Sequence, residues 1–273
     1  MLMTFWAPVH GQCGNSTLAA ATACQLAVSH KMKMLLTHTN YSHRALEYLF
    51  FQRRELSGGH MLDTNDNGLD AIARLANNKR LIPDGIGNYT QAIIPNMRLD
   101  FLVGTRQQDE GIFESKAEDV QNALDIATEK YDLVMVDLNN GFDSTMSRTL
   151  IQRSDLAIVV LNQNQHVLDY FLEHPLADEV LGKSHVVFVV NRVSEEVRLT
   201  PQNMRRRLGG AKIVEVPDYI KVQDIANRSE MLDFILRNQQ VGKNQPEDGF
   251  VQGLKVLSER IVDAMKQIQT EKG

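Results

Sequence analysis

Two near-continuous apolar runs constrain most strongly what this chain can fold into. They cover Leu156 to Leu161 and Val186 to Val190, are largely β-branched, and show no alternation of apolar and polar positions. A strand with one solvated face alternates, so an unbroken apolar run indicates a strand that is covered on both faces. We therefore expect both runs to lie in the interior of a sheet that carries helices on each side.

The other apolar runs extend this pattern along the chain. Further strands are predicted over Thr4 to Val9, Met32 to Thr37, Leu99 to Val103, Leu133 to Val136 and Ala211 to Val216. Helical periodicity is found over Ser16 to Ser29, Leu69 to Asn77 and Phe250 to Ile268, and a capping-box pattern at Ser115 to Glu118 predicts the start of another helix. Strands separated by helices of crossover length predict an α/β fold, a mostly parallel twisted sheet with helices on both faces.

Length and composition limit the classes of protein that remain. The 273 residues suit one large domain, which we place over residues 1–273 with 250–268 as a C-terminal amphipathic helix. A content of 43% hydrophobic and 23% charged residues excludes a disordered or coiled-coil chain. The net charge of −5 leaves nucleic-acid binding to a local basic patch.

The sequence predicts a cytoplasmic protein with no stable membrane insertion. It contains no apolar run long enough to span a bilayer, and its first residues lack the basic and apolar regions of an export signal. Cys13 and Cys24, the only two cysteines, fit neither a zinc pair nor a disulfide framework, so we expect two buried thiols.

The segment from His10 to Thr17 joins the first strand to the first helix and carries the chemistry. Glycines there let backbone N–H groups and a helix N-terminus face an anion, and Ser16 could coordinate Mg²⁺. Against the pattern G-x-x-x-x-G-K-[ST] the segment keeps Gly14 and Ser16 but has Asn15 at the lysine. Taken alone, it fits a phosphate loop and an ordinary helix-capping turn equally well.

Four further segments support the interpretation of His10 to Thr17 as a phosphate loop, and they follow it in order along the chain. Tyr131 to Asp137 is a buried strand followed by Asn139 to Gly141, and Ser154 to Val160 is the next strand, entered through an aspartate. Val187 to Arg192 is a strand that ends in Asn191. Val216 to Asp218, with Val222 to Ala226 after it, closes the series.

Together with the loop, these segments resemble the ParA/MinD family of deviant Walker P-loop ATPases over nearly the whole chain. The family loop is K-G-G-x-G-K-[ST]-T, and the segments that follow resemble Walker B with switch II, the next strand, the adenine-facing asparagine and the late segment that lines the adenine pocket. The resemblance implies a P-loop fold that binds ATP or ADP with Mg²⁺, through Ser16 and Asp137 for the metal. The nucleotide-binding residues that it implies are Gly11, Gln12, Cys13, Gly14, Asn15, Ser16, Thr17, Asn191 and Pro217.

The sequence departs from the family pattern where hydrolysis depends on charge. His10 stands where a signature lysine crosses to the dimer partner's phosphates, and Asn15 replaces the second lysine. Thr37-His38-Thr39 replaces the D-x-D that orients the attacking water. Each lost charge-assisted contact is worth about 1.5–3 kcal/mol, so we predict a degenerate site with no catalytic residue, weak or lost nucleotide binding, and weak or absent hydrolysis.

The resemblance leads to a first hypothesis for function. It is a homodimeric positioning or assembly factor, similar to the TadZ/CpaE group that localises Flp/Tad pilus or secretion machinery, and recruited to a cell pole or nucleoid. Such a factor would act through protein partners.

Two alternatives stay open. One is a ParA-type partition protein that binds DNA non-specifically through Arg205, Arg206 and Arg207, although these arginines also fit a solvated helix face. The other is a slow ATPase in which the Asn15 backbone and the dimer partner supply enough phosphate contacts.

Overall fold

An eight-stranded sheet runs through the molecule. The computed structural model describes residues 1–41, 43–52, 67–96, 98–107, 109–240 and 245–272. The strands are β1 (Leu2–Trp6), β2 (Met34–His38), β3 (Gln91–Ile94), β4 (Leu99–Phe101), β5 (Leu133–Asp137), β6 (Leu156–Leu161), β7 (Val186–Val193) and β8 (Ile213–Pro217). Their order across the sheet is β3-β4-β2-β5-β1-β6-β7-β8. All neighbours pair in parallel except β3 and β4, which confirms the predicted fold class.

Helices connect the strands. They are α1 (Asn15–Ser29), α2 (Gly68–Asn77), α3 (Glu110–Glu114), α4 (Ala117–Lys130), α5 (Thr145–Arg153), α6 (Gln165–Glu173), α7 (Leu176–Leu181), α8 (Pro201–Arg207), α9 (Val222–Asn227), α10 (Met231–Arg237) and α11 (Asp248–Lys272). In the part of the chain that the structure describes, two short 3₁₀ helices cover Glu47–Leu49 and Pro83–Tyr89. Among the residues described, no helix is both long and apolar enough to cross a membrane.

The centre of the sheet is fully enclosed. Every residue of β1, β2, β5 and β6 is buried, as the unbroken apolar runs predict for strands covered on both faces. Helix α1 lies against this centre through small side chains that have no solvent exposure: Ala19, Ala20, Ala23 and Ala27. The carboxyl ends of β1, β2, β5 and β7 therefore meet along one edge of a rigid sheet, which is where sites lie in this architecture.

Two predictions about individual elements are wrong, and one strand was missed. The first strand ends at Trp6 and not at Val9, because the chain turns away from the sheet into the loop before α1. Ser115 does not cap a helix: its hydroxyl donates to the Ile112 carbonyl at the end of α3, and α4 begins at Ala117 with no side-chain cap. The antiparallel edge strand β3, four half-exposed or exposed residues long, carries too little apolar pattern to be found from the sequence.

Helix α11 packs against β8 at close range through a glycine. A Cβ on Gly253 would lie 2.9 Å from the Glu215 carbonyl oxygen and 3.0 Å from the Val216 Cα. Both contacts are to backbone, which cannot rotate away. The predicted apolar stripe from Phe250 to Ile268 is buried on this face of the helix.

We predict that Gly253→Ala destabilises the protein. Overpacking costs about 1–3 kcal/mol and alanine's better helix propensity returns about 1 kcal/mol, so the expected net loss in free energy of unfolding is up to about 2 kcal/mol. Urea unfolding measures it. The control is Gln252→Ala at the exposed neighbouring position, expected within about 0.5 kcal/mol of the parent; a stabilised Gly253→Ala would mean that α11 does not sit this close to β8.

Candidate functional site

The loop between β1 and α1 forms a backbone cradle at the carboxyl edge of the sheet. Gly11 and Gly14 have φ angles of 70° and 68°, in the left-handed region that favours glycine. Gly14 is the N-cap of α1 and supplies no side chain, so the N–H groups of the first helical turn face the loop. A Cβ at Gly14 would lie 2.9 Å from Asn191 Nδ2, so this position requires glycine for space as well.

Two cavities meet at this loop. One, of about 460 Å³, is lined by the loop together with Asn40, His43 and Asn140. The other, of about 310 Å³, lies beside it between the ends of β7 and β8 and helix α9. They share Gly14, Thr17 and Arg192. The size and shape of this pair suit a phosphate group in the first cavity and a base in the second.

The structure brings most of the predicted nucleotide residues to these cavities. Those on the first are Gly11, Cys13, Gly14, Asn15, Ser16 and Thr17. Asn191 and Pro217 line the second, and Asn191 Nδ2 also donates to the Cys13 carbonyl at 2.9 Å. Gln12 lines neither; it faces outward, where its carbonyl accepts from Asn162 Nδ2 at 3.2 Å.

Asn15, at the lysine position, is tied to the strands beneath the loop. Its side chain is buried, and Nδ2 donates to the Asp137 carboxylate at 2.7 Å and to the Phe5 carbonyl at 3.2 Å. These acceptors are the carboxyl ends of β5 and β1. The residue that reaches the phosphates in other P-loops here joins the two central strands, and it brings no charge.

Asp137 is a buried carboxyl group, and one of its oxygens is available to a ligand. Burial raises its pKa to about 6, an increase that the Ser16 hydroxyl, the His38 charge and the Asn15 amide partly offset. Its Oδ2 has no hydrogen-bond partner within the described parts of the chain. A carboxylate oxygen beside a serine hydroxyl is the type of donor set that Mg²⁺ takes, with water and phosphate completing its shell, so Asp137 and Ser16 fit the predicted metal.

The end of β2 carries a buried His38–Glu47 pair that sequence reasoning missed. His38 Nε2 lies 2.8 Å from Glu47 Oε1, both side chains are inaccessible to solvent, and the Asn40 N–H donates to His38 Nδ1 at 3.1 Å. Burial alone would lower the pKa of His38 and raise that of Glu47, but each partner reverses the effect on the other. The sequence lacks a carboxylate at Thr37-His38-Thr39, but Glu47, nine residues after His38, brings one to the end of β2, where it is buried. Nothing in the local pattern around Glu47 pointed to it.

The loop after β5 is fastened to the phosphate loop. The Trp6 indole donates to the Gly141 carbonyl at 3.0 Å, the Gly141 N–H donates to the Ala7 carbonyl at 2.9 Å, and the Ala7 N–H donates to Asn140 Oδ1 at 2.9 Å. The His10 ring also lies against Gly141, where a Cβ would come within 2.7 Å of Nε2. His10 therefore contacts its own subunit's loop in this structure.

The three arginines predicted as a DNA surface lie on a face of mixed charge. Arg205, Arg206 and Arg207 are exposed on α8, away from the loop edge, as α8 leads back towards the start of β8. Arg207 forms an ion pair with Asp169. Arg205 lines a groove of about 480 Å³ in which basic and acidic side chains are equally represented: Arg205, Lys212, Arg260, Glu215, Glu259 and Asp263.

Comparison with known structures identifies this architecture. A ParA family ATPase from Chlorobium tepidum TLS superposes with a TM-score of 0.70 at 18% identity, covering 93% of this chain and 98% of that one. The fold is that of the ParA and MinD ATPases. No protein-family model and no curated protein matches the sequence.

Two MinD structures extend the comparison. The septum site-determining protein MinD from Pyrococcus horikoshii OT3, complexed with Mg-ADP, gives a TM-score of 0.67 at 16% identity over 96% of each chain. The MinC:MinD cell division complex of Aquifex aeolicus gives 0.64 at 18% identity, covering 94% of this chain and 96% of that one. At these identities the likeness establishes the ParA/MinD fold.

We predict that Asp137 makes stability fall as the pH rises through about 6. The folded-state pKa lies above the ordinary 3.8, so the stabilising contribution is complete below pH 3.8 and is lost as the buried group ionises. Asp137→Asn keeps an acceptor for Asn15 and removes the ionisation. Between pH 4 and 7.5, in chelator, the free energy of unfolding of the parent should fall relative to the variant by on the order of 3 kcal/mol. Parallel pH profiles of the two proteins would contradict a raised pKa.

Proposed function

We propose that the chain is a positioning or assembly scaffold built on the ParA/MinD fold, with a nucleotide site that binds Mg-ATP or Mg-ADP weakly and does not turn ATP over. One observation carries the proposal: the Asn15 amide, in place of a lysine, is committed to Asp137 and Phe5 inside the protein. Because the Asn15 side chain is bonded inside the protein, it does not supply the contact that a P-loop lysine makes with the transferred phosphate.

Two further features support a site without turnover. Phosphoryl transfer depends on positioned charge, and His10 offers a neutral or partly charged ring that rests on Gly141. The Glu47 carboxylate is buried against His38 and does not line the cavity. The lysine that would contact the transferred phosphate and a carboxylate that would orient water are therefore both missing from the described lining of the cavity.

The same loops offer a surface for assembly. Phe142 stacks on His174 at 3.7 Å and meets Trp6 and Tyr170 edge-on, and Tyr170 is 48% exposed. This aromatic patch, completed by Val9 and His10, borders a groove of about 510 Å³. Because hydrogen bonds to Trp6 and Ala7 hold the Gly141 loop in place, the position of the patch is set by the chain itself, which suits a constitutive homodimer.

The proposed partners follow from this surface. A MinD among the structural neighbours forms a complex with MinC, and we assign this chain a comparable partner protein in a pilus or secretion assembly of the TadZ/CpaE type. DNA partition, the other candidate, has less support, because Arg207 pairs with Asp169 and Arg205 borders a groove of mixed charge.

We predict that ATP turnover stays at background and that Asn15→Lys does not restore it. A lysine would add a charge-assisted phosphate contact worth about 1.5–3 kcal/mol and tighten ATP binding at least about tenfold, yet His10 and the His38–Glu47 pair would remain. Calorimetry with Mg-ATP and a phosphate-release assay measure the two effects.

The control for this assay is Asp137→Ala, which removes the proposed Mg²⁺ ligand. In the scaffold proposal it leaves the rate at background, as in the parent. Turnover by the parent that Asp137→Ala abolishes would show a working ATPase and overturn the proposal.

We predict a homodimer in solution whose population does not change with Mg-ATP. A stable dimer buries more than about 1,000 Å², and Tyr170→Glu should break it by placing a charge in the aromatic patch. Val256→Glu, at a comparably exposed position on α11, is the matched control and should remain dimeric. Light scattering with and without Mg-ATP tests both; a monomer that dimerises only with ATP would contradict the constitutive interface.

A further inference from the structure

Arg192 holds an unusual place at the end of β7. The register between β7 and β8 shifts here: Asn191 pairs with Val216 and Val193 with Pro217, which leaves Arg192 as the extra residue of a bulge. Its φ angle is 57°, in the left-handed region that few non-glycine residues adopt. Bulges of this kind redirect a side chain, and this one turns Arg192 towards the phosphate loop.

The guanidinium group lies against the N-terminus of α1. A Cβ on Gly14 would come within 3.4 Å of both Nε and Nη2 of Arg192. Arg192 also lines both cavities, at the point where they join. Its charge acts on the loop, since it lowers the pKa of Cys13 against the stronger effect of burial.

The two cavities contain no other permanent cation among the described residues. His10 and His43 line the phosphate cavity, and both are histidines. Arg192 is exposed and has no hydrogen bond or ion pair within the described residues, so its donors are directed at open space. A phosphate chain in the cavity would meet one fixed positive charge, and that charge comes from β7.

The position of this charge along the site is equally informative. In a standard P-loop the lysine reaches the phosphates farthest from the nucleoside. Arg192 instead stands where this cavity joins the base cavity, and the other side chains lining the phosphate cavity include the neutral amides of Asn40 and Asn140 and the His10 ring. A phosphate chain leading out of the base cavity would pass Arg192 first, and the described lining offers no second permanent cation for a third phosphate.

We propose that Arg192 replaces the P-loop lysine as the phosphate-binding cation, and that the site recognises a nucleoside diphosphate group without reading a third phosphate. The assignment rests on the proposed nucleotide site and names its ligand class. We therefore expect ADP and ATP to bind with similar affinity. The nucleotide is then a structural ligand, and exchanging ADP for ATP does not change the state of the protein.

Calorimetry on the full chain with Mg²⁺ and ADP, ATP or AMP tests this assignment. We expect ADP and ATP to bind within about threefold of each other, and AMP at least about tenfold more weakly. Arg192→Gln should weaken ADP and ATP at least about tenfold, the scale of one charge-assisted hydrogen bond, and change AMP little. Arg192→Lys should recover most of the loss.

Arg198→Gln is the matched control, because Arg198 is an exposed arginine on the same connection that lines neither cavity. It should bind as the parent does, and thermal unfolding of each variant confirms that the fold is kept. ATP binding more than about tenfold tighter than ADP binding would overturn the assignment, and so would ADP binding that Arg192→Gln leaves unchanged.

The same measurements distinguish a failure of the Arg192 assignment from a failure of the scaffold proposal. A parent protein that binds no ADP at millimolar concentration overturns the role of Arg192 and leaves the scaffold proposal standing. Rapid ATP turnover overturns the scaffold proposal, while the ADP series still decides the role of Arg192.

Discussion

The site depends on one side-chain amide. Asn15 joins the carboxyl end of β1 to that of β5 through Phe5 and Asp137, directly beneath the first turn of α1. A lysine cannot make this link and also reach a phosphate. With an asparagine, the loop, the helix and the two central strands are held together by neutral and partly ionised groups, and the backbone shape of a P-loop is kept without its lysine.

The ionisable groups beneath the loop are buried, and Arg192 is the one permanent cation that the described residues present to the two cavities. His38 and Asp137 are register partners at the ends of β2 and β5, Glu47 lies against His38, and all three are buried. Gly104 leaves room for the His38 ring, because a Cβ at this position would clash with it. Such a pair costs desolvation energy and fixes geometry, as expected for a site retained as a structural element.

Local patterns in the sequence were enough for seven of the eight strands, the loop and the last helix, because each is encoded by neighbouring residues. Strand ends were less certain, since leaving the sheet at Trp6 changes no hydrophobic pattern. The partners of His38 and Gly14 could not be predicted: Glu47 and Arg192 reach them through a short 3₁₀ helix and a β-bulge, whose geometry is set by contacts distant in the chain. The resemblance located the loop residues, and the structure showed what Asn15 does.

Trp6 is the only tryptophan of the chain, and its indole N–H is bonded to the loop that follows Asp137. The ring is also packed edge-on against Phe142 of the same loop. Any event that lifts this loop, whether a ligand entering or a second protein docking, must break that bond and change the polarity around the indole. The tryptophan fluorescence of this protein therefore reports on one place, the contact between Trp6 and the loop that carries Gly141 and Phe142.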